Sequence, residues 1–187
     1  MRNNFVPRLI LSFILSLFLF NVQANELNWK PAQEGNKIIL IRHSIAPGGG
    51  DPAGFKINDC KTQRNLNQAG IDQSKSIGEL FKKKRVLIDQ VLTSQWCRCK
   101  DTAKYAFKKF KEFSALNSTF QSPNDKNEPR QLKELKSFVK KWNGNGKNLI
   151  LVTHYSIITA ITNVVPRSGE IVITDKNFKV LATIATD

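Results

Sequence analysis

The sequence predicts an α/β protein of three layers, in which a mainly parallel sheet is flanked by helices and has an antiparallel edge near the C-terminus. Short, unbroken apolar runs alternate along the chain with segments of helical periodicity. This alternation is typical of a parallel sheet that helices cover on both faces. The last two apolar runs, residues 170–174 and 178–183, are separated by a short turn, and so short a connection joins antiparallel strands.

The strands are predicted from continuous apolar runs. Residues 37–41 and 149–153 are rich in Ile, Leu and Val, as expected of strands that are buried on both faces. Residues 86–93 form a further strand between them in the chain. A polar loop with Pro and three glycines over residues 47–52 excludes regular structure after the first strand.

Four helices are predicted between these strands. In the first, Ile71, Ser74, Gly78 and Phe81 recur along one face. Pro129 stands where the third helix begins, a position at which proline is tolerated. The predicted helices span residues 67–84, 95–111, 129–142 and 156–164, and residues 112–127 are expected to be rich in loops.

The N-terminus has the features of a secretory signal peptide. Arg2 and Arg8 accompany the apolar run of residues 9–20, and a small-residue cleavage site ends at Ala24. This run of twelve residues is shorter than the roughly 20 apolar residues that span a bilayer, so no stable membrane anchor is expected. We therefore predict a signal peptide over residues 1–24, a single domain over residues 25–187, and a periplasmic or secreted protein.

The chain is strongly basic, with a formal net charge of +14, which favours anionic partners. Much of this charge lies in residues 82–85 and 108–111. We interpret these runs as solvated helix faces, with nearby anionic lipid or glycan as an alternative. No aromatic-interleaved basic motif accompanies them, so nucleic acid is not expected as a partner.

The chain has three cysteines. Cys97 and Cys99 lie two residues apart on a predicted helix, where side chains do not face each other, so they should not pair. Cys60 lies in a predicted loop and could bridge to either, leaving one free thiol. Two histidines and a single Cys-x-Cys give poor spacing for zinc ligands, so neither a metal nor another cofactor is predicted.

Both histidines of the chain follow predicted buried strands. His43 follows Arg42 at the end of the first strand, and His154 follows the third strand. Arg98 lies just beyond the second strand. Because the carboxyl ends of parallel strands meet at one edge, these four side chains should converge. Arginine forks match phosphoryl oxygens, and a neutral imidazole can attack phosphorus if its other nitrogen is held. The pattern therefore predicts phosphoryl chemistry.

Four motifs make the sequence similar to the histidine phosphatase superfamily, which includes the cofactor-dependent phosphoglycerate mutases. The resemblance runs from about Lys37 to the C-terminus, and the Arg-His-Gly of the family appears as Arg42-His43-Ser44. The other three motifs appear as Leu66-Asn67-Gln68-Ala69-Gly70-Ile71-Asp72-Gln73, Thr93-Ser94-Gln95-Trp96-Cys97-Arg98-Cys99-Lys100-Asp101-Thr102-Ala103 and Val152-Thr153-His154.

The resemblance implies a role for each of these residues. His43 would be the nucleophile that becomes phosphorylated, and Arg42, Arg98 and His154 would hold the phosphoryl oxygens. Ser44, in place of the family's glycine, would add a hydroxyl beside the phosphate. Arg64, in the loop expected over the same edge, is assigned with Ser44 to substrate binding.

The proton donor for the leaving group is not identified by a motif. Residues 115–120, where the family would carry its acid, contain no carboxylate. The candidates are therefore taken from nearby loops, in the order Asp125, Glu128, Asp51 and Asp59, with Asp125 as the predicted acid.

We expect an extracytoplasmic phosphomonoesterase of the histidine acid phosphatase type that acts through phosphohistidine. Its substrate would be a small phosphorylated molecule such as a sugar phosphate, or a phosphorylated envelope glycan, an expectation that rests on analogy and compartment. A non-catalytic phosphate-binding module with the same pocket is the alternative, and a basic surface protein that binds anionic polymers is a third. The oligomeric state is left open.

Overall fold

The computed structural model describes residues 27–121 and 123–186, so the predicted signal peptide lies outside the described residues. The strands are β1 (Ile38–Arg42), β2 (Ile88–Thr93), β3 (Lys111–Glu112), β4 (Asn148–Thr153), β5 (Ile171–Thr174) and β6 (Val180–Ile184). The helices are α1 (residues 27–34), α2 (Gln68–Lys83), α3 (Cys97–Phe107), α4 (Glu128–Lys141) and α5 (Tyr155–Thr162).

The six strands form one mixed sheet in the order β3-β2-β4-β1-β5-β6. Strands β1, β2, β3 and β4 pair in parallel, whereas β5 and β6 add an antiparallel edge. The predicted α/β fold with an antiparallel C-terminal edge is confirmed. Since β4 lies between β1 and β2, the three strands that were predicted to carry the site are adjacent.

Each face of the sheet packs against its own group of helices. On one face, Ile39 and Ile150 pack with Ile77 of α2 and Ala103 of α3. On the other face, Leu40 and its neighbours pack with α4 and α5. The alternation arises because successive strand residues point to opposite faces, and both faces bury aliphatic side chains. The result is the expected arrangement of helices, sheet and helices.

The structure differs from the predicted elements at α1 and around β3. The chain contains a helix over residues 27–34 that the sequence did not predict, and Trp29 in it packs edge-on against Phe81 with ring centroids 5.3 Å apart. The helix predicted to reach residue 111 ends at Phe107, because Lys108 adopts a left-handed φ of 66°. The chain then forms the two-residue strand β3.

A disulfide joins the loop before α2 to the beginning of α3. Cys60 and Cys97 are bonded, with their Cα atoms 5.7 Å apart, and Cys99 is a buried free thiol. The structure thus selects Cys97 from the two partners that the sequence left open for Cys60. One free thiol remains, as predicted.

Among the described residues, no helix has both the length and the apolar character needed to cross a membrane. The same part of the chain contains no group of three or more His, Cys, Asp or Glu side chains arranged to hold a metal ion.

Candidate active site

The predicted site residues converge because the carboxyl ends of β1, β2 and β4 lie side by side. Arg42 and Thr153 are register partners at the ends of β1 and β4. The next backbone amide, that of His43, donates a 2.9 Å hydrogen bond to the carbonyl of Thr153. On the other side of β4, the amide of Ser94 bonds to the carbonyl of Val152 at 3.0 Å.

His43 is a neutral imidazole, and one of its ring nitrogens is hydrogen-bonded to the backbone. Its Nδ1 lies 2.8 Å from the carbonyl oxygen of Ser44, and since a carbonyl only accepts, Nδ1 carries the proton and Nε2 has a free lone pair. The side chain is 2% exposed. Burial, followed by the positive charge of Arg98, lowers the pKa of His43 well below its usual value. A neutral, oriented imidazole of this kind can act as a nucleophile.

His154 faces His43 across the site, with ring centroids 5.5 Å apart. Its Nδ1 lies 3.4 Å from Nη2 of Arg98, and a guanidinium only donates, so this nitrogen is the acceptor and Nε2 carries the proton. Nε2 donates to the hydroxyl of Ser94 at 2.9 Å, and that hydroxyl donates to the side-chain oxygen of Asn117 at 3.1 Å. Burial, then the charge of Arg98, lowers the pKa of His154 well below its usual value.

Arg98 is fixed by a buried carboxylate. Its Nη1 and Nη2 donate to the two oxygens of Asp51 at 2.8 and 3.1 Å, and the side chains are 3% and 4% exposed. Asp51 also accepts from the amide of Arg64 at 3.1 Å and the indole of Trp96 at 2.9 Å. Burial alone raises the pKa of Asp51, but Arg98 and these two donors outweigh it and lower the pKa. Asp51 is therefore ionised.

Two arginine donors remain without acceptors. Arg42 donates from Nη1 to the carbonyl of Pro166 at 2.9 Å, and its guanidinium carbon lies 5.4 Å from the ring centre of Tyr155. The Nε atoms of both Arg42 and Arg98 are buried and have no hydrogen-bond partner in the described part of the chain. A buried donor that lacks a partner costs about 1–3 kcal/mol, so an acceptor such as a phosphoryl oxygen would be stabilised there.

Ser44 contributes to the site through its backbone. Its carbonyl orients His43, its amide donates to the hydroxyl of Thr102 at 3.0 Å, and its own hydroxyl lies 2.8 Å from that of Ser74. This hydroxyl contact differs from the expected one with phosphate. Gly70 allows α2 to approach this segment, because a Cβ on Gly70 would lie 2.0 Å from the carbonyl oxygen of Ile45.

Arg64 holds the loop that follows β1. Its Nε donates to the carbonyl of Gly50 at 2.8 Å and its Nη1 to the carbonyl of Ala46. These bonds direct the guanidinium to the loop backbone, whereas the sequence predicted a contact with substrate. Its charge still acts on the site, because it contributes to lowering the pKa of His43.

The four candidate acids occupy different environments. Asp51 is buried against Arg98, whereas Asp125 and Asp59 are exposed and accept hydrogen bonds from the backbone amides of Lys126 and Lys61. Within the described part of the chain, Asp125 makes no hydrogen bond or ion pair to the two histidines or to Arg42 and Arg98.

Glu128 is half-buried at the beginning of α4. It accepts from the hydroxyl of Thr119 at 2.9 Å, and the amide of Thr119 bonds to the hydroxyl of Ser156 at 3.2 Å. Ser156 follows Tyr155, whose ring packs against Arg42. Glu128 is therefore linked to the margin of the site.

Sequence reasoning named Ser94 within a motif and Asp51 among the candidate acids, but it did not assign either of them to supporting the histidines or Arg98. Ser94 had a recognisable signal, since it directly follows β2 as His43 and His154 follow their strands. The pairing of Asp51 with Arg98 had none, because 47 residues separate them in the chain. Asn117 lies in a loop segment without a distinctive motif.

Comparison with known proteins supports the fold. No family model and no curated protein matches the sequence. Among solved structures, the candidate phosphohistidine phosphatase SixA of Agrobacterium tumefaciens is 17% identical, with a TM-score of 0.55 over 80% of this chain and 97% of that one. A candidate α-ribazole-5′-phosphate phosphatase of Escherichia coli is 13% identical, with a TM-score of 0.58 over 81% and 97%.

The Rv3214 protein of Mycobacterium tuberculosis is 15% identical, with a TM-score of 0.53 over 74% of this chain and 90% of that one. These neighbours include SixA and other members of the histidine phosphatase superfamily. Identities this low establish the likeness in fold and carry no residue roles.

Proposed function

We propose that the chain is a phosphomonoesterase of the histidine phosphatase type, in which His43 accepts the phosphoryl group. The observation that carries the proposal is the pair of buried Nε–H donors on Arg42 and Arg98, which have no acceptor in the described chain, beside a neutral His43. A phosphoryl group supplies both the oxygens that these donors need and the electrophilic centre for Nε2 of His43.

The reaction proceeds in two displacements. Nε2 of His43 forms a bond to phosphorus while the bond from phosphorus to the ester oxygen breaks, and the leaving oxygen takes a proton from an acid. Water then attacks phosphorus and gives a proton to the deprotonated acid while the bond between phosphorus and Nε2 breaks. This step releases inorganic phosphate and restores both the neutral imidazole and the protonated acid. The Nε–H donors of Arg42 and Arg98 stabilise the charge on the phosphoryl oxygens throughout, whereas both ring nitrogens of His154 are engaged by Arg98 and Ser94. His43 supplies the nucleophile of the first step and water that of the second, and neither step as proposed includes a metal or another cofactor.

We assign the leaving-group proton to Glu128. Asp51 is ionised and fully engaged by Arg98, Arg64 and Trp96, so it has no proton to give. Glu128 is half-buried and is linked through Thr119 to the beginning of α5, whereas Asp125 is exposed. This assignment replaces Asp125 as the first choice on geometric grounds.

The proposed compartment is the periplasm or the exterior. The leader sequence supports export, and the disulfide between Cys60 and Cys97 is of the kind that persists in oxidising compartments. In that compartment, a phosphorylated envelope glycan or a sugar phosphate is the proposed substrate. The positive charge of the chain would favour approach of such anions.

A phosphate-binding module is the second candidate function. Among the described residues, Asp51 is the carboxylate that pairs with Arg98, and that pairing leaves it unable to protonate a leaving group. The lack of a free acid beside Arg98 favours binding without turnover. Such a module would bind phosphate in the same pocket without turnover.

Hydrolysis of an aryl phosphate tests the proposal, because its weakly basic leaving group needs little help from an acid. We expect the protein to hydrolyse it and His43→Asn to lose that activity by at least a thousand-fold. Binding of inorganic phosphate without hydrolysis of any aryl phosphate would support the binding module instead.

A further inference from the structure

A second cavity lies at the opposite end of β2 from the candidate active site. It measures about 850 Å³ and is lined by α2, α3, the chain between α2 and β2, and the first residues of β2. The active-site residues, by contrast, follow the carboxyl end of β2 at Thr93. The volume falls in the range of about 300–1,000 Å³ that is common for small-molecule sites.

The floor of this cavity is apolar. Phe81, Val91 and Ala106 line it and are buried, and Phe107 and Phe110 are partly buried beside them. Near the opening, Leu87 is 59% exposed. These side chains offer a hydrophobic surface that continues from the core to solvent.

The rim of the cavity is strongly cationic. Both basic runs of the sequence, which the proposed active site does not use, meet there. Six cationic side chains line the cavity against the two carboxylates of Glu79 and Asp89: Lys75, Lys82, Arg85, Lys108, Lys109 and Lys111.

Most of these cations are not neutralised by the protein. Lys75 is paired with Asp72 at 3.0 Å. The other five have no ion pair within the part of the chain that the structure describes, and all are exposed. The uncompensated positive charge faces an opening above apolar side chains.

Two features of the backbone keep the cavity open. Strand β3 pairs with β2 only at Leu92 and Thr93, so the first half of β2 is not covered by a strand on that side in the described chain. At Lys108 the chain makes a γ-turn, with φ 66° and a 2.7 Å bond from the amide of Lys109 to the carbonyl of Phe107. This turn ends α3 and places Phe110 and the lysines along the same cavity.

We propose that this cavity binds an anionic amphiphile, a single alkyl or acyl chain with a phosphate or carboxylate headgroup. The alkyl chain would lie on the Phe81, Val91 and Ala106 floor, where burial of apolar surface stabilises it. The headgroup would meet the lysines of the rim, whose uncompensated charge favours an anion over a neutral headgroup. The leader of this chain is not the expected occupant, because Arg2 and Arg8 beside its apolar run would be repelled by the cationic rim.

Titration calorimetry of the full chain tests this proposal with sodium dodecanoate below its micellar concentration, because a dodecyl phosphomonoester would also enter the proposed active site. We expect one dodecanoate per chain, bound at least ten-fold more tightly than dodecyl maltoside and than acetate.

Charge reversal distinguishes the cavity from general basicity. Lys82→Glu combined with Lys109→Glu should weaken the binding of dodecanoate at least ten-fold. The matched control, Lys136→Glu combined with Lys140→Glu on exposed positions of α4, changes the net charge equally and should leave the affinity unchanged. Leu87→Gln should weaken binding several-fold by removing apolar surface.

Three results would overturn the proposal. One is equal affinity for the anionic and neutral amphiphiles. Another is an affinity that the Lys82 and Lys109 reversal does not change. The third is absence of dodecanoate binding. Binding of phosphatidylglycerol vesicles in its place would indicate a membrane surface, and binding of an extended acidic peptide would indicate a partner at the open edge of β2.

Discussion

The carboxylate of Asp51 and the guanidinium of Arg98 form a buried, bidentate ion pair with hydrogen bonds of 2.8 and 3.1 Å, although the two residues are 47 positions apart in the sequence. The pair uses the two terminal nitrogens of Arg98 and leaves its Nε–H without an acceptor. Asp51 thus fixes the plane of the guanidinium, and in the proposed function the remaining donor binds a phosphoryl oxygen. Asp51 acts as a positioning residue for Arg98.

Removal of the Asp51 charge should destabilise the fold. Asp51→Asn leaves Arg98 buried without its counter-ion, and loss of one partner of a buried ion pair costs about 3–5 kcal/mol. Chemical denaturation of the variant should show this loss in the free energy of unfolding. Asp59→Asn, in the same loop but exposed, is the control and should change it by less than about 0.5 kcal/mol. An unchanged stability of Asp51→Asn would show that the pair does not hold the loop.

The disulfide should make a separate contribution to stability. It links residues 37 apart, and a loop of this length corresponds to about 3–4 kcal/mol in the chain-entropy model. Cys60→Ser combined with Cys97→Ser should lower the free energy of unfolding by about that amount and make it insensitive to reductant. Thiol titration of the unreduced, denatured parent should detect one thiol, that of Cys99. Detection of three thiols would contradict the bridge.

The buried histidines should make the fold less stable as the pH falls below about 6.5. Their pKa values are well below the usual value in the folded chain, whereas the unfolded chain takes up protons at about 6.5. Between these values the unfolded state binds more protons, so each histidine lowers the free energy of unfolding by up to about 1.4 kcal/mol per pH unit.

Denaturation curves between pH 7.5 and 5 measure this slope. The Asp51 carboxyl does not interfere with this slope. Because its pKa is lowered in the folded chain, its titration changes the free energy of unfolding mainly below about pH 4. His43→Asn should remove about half of the slope. A parent protein whose stability is constant over this range would contradict the neutral, buried state of both imidazoles.

Glu128 should matter most for substrates with a strongly basic leaving oxygen. Glu128→Gln should reduce turnover of an alkyl phosphate about 100-fold or more, because general acid catalysis contributes about 10²–10⁴-fold, and should affect an aryl phosphate far less. Asp125→Asn and Asp59→Asn are the matched amide controls on exposed carboxylates. If Asp125→Asn shows the selective loss and Glu128→Gln does not, the acid is Asp125, as the sequence first indicated.

The fold was predictable because its central strands are continuous apolar runs with helical segments between them. The convergence of His43 and His154 followed from the same pattern, since parallel strands end at one edge. The pairing of Asp51 with Arg98 was not predictable, because loop residues carry no periodicity that reports distant contacts. Helix α1 was missed for a related reason: its stability depends on Trp29 packing against Phe81, a tertiary contact.

The contacts of individual side chains at the site were also not predictable from the sequence. Ser44 was assigned to substrate binding from the resemblance and Arg64 from the loop expected over the same edge, and the side chains of both form hydrogen bonds within the protein. The end of α3 at Phe107 depends on a left-handed turn at Lys108, a conformation that lysine seldom adopts and that propensity does not predict.

Phosphorylation of His43 during turnover tests the central claim most directly. The protein is mixed with a ³²P-labelled phosphomonoester, denatured within milliseconds at alkaline pH, digested and mapped by mass spectrometry. We predict a base-stable, acid-labile phosphate on the peptide that contains His43, absent from His43→Asn, which should also lose turnover. Full activity of His43→Asn, or turnover by the parent with label on another residue, would contradict the account.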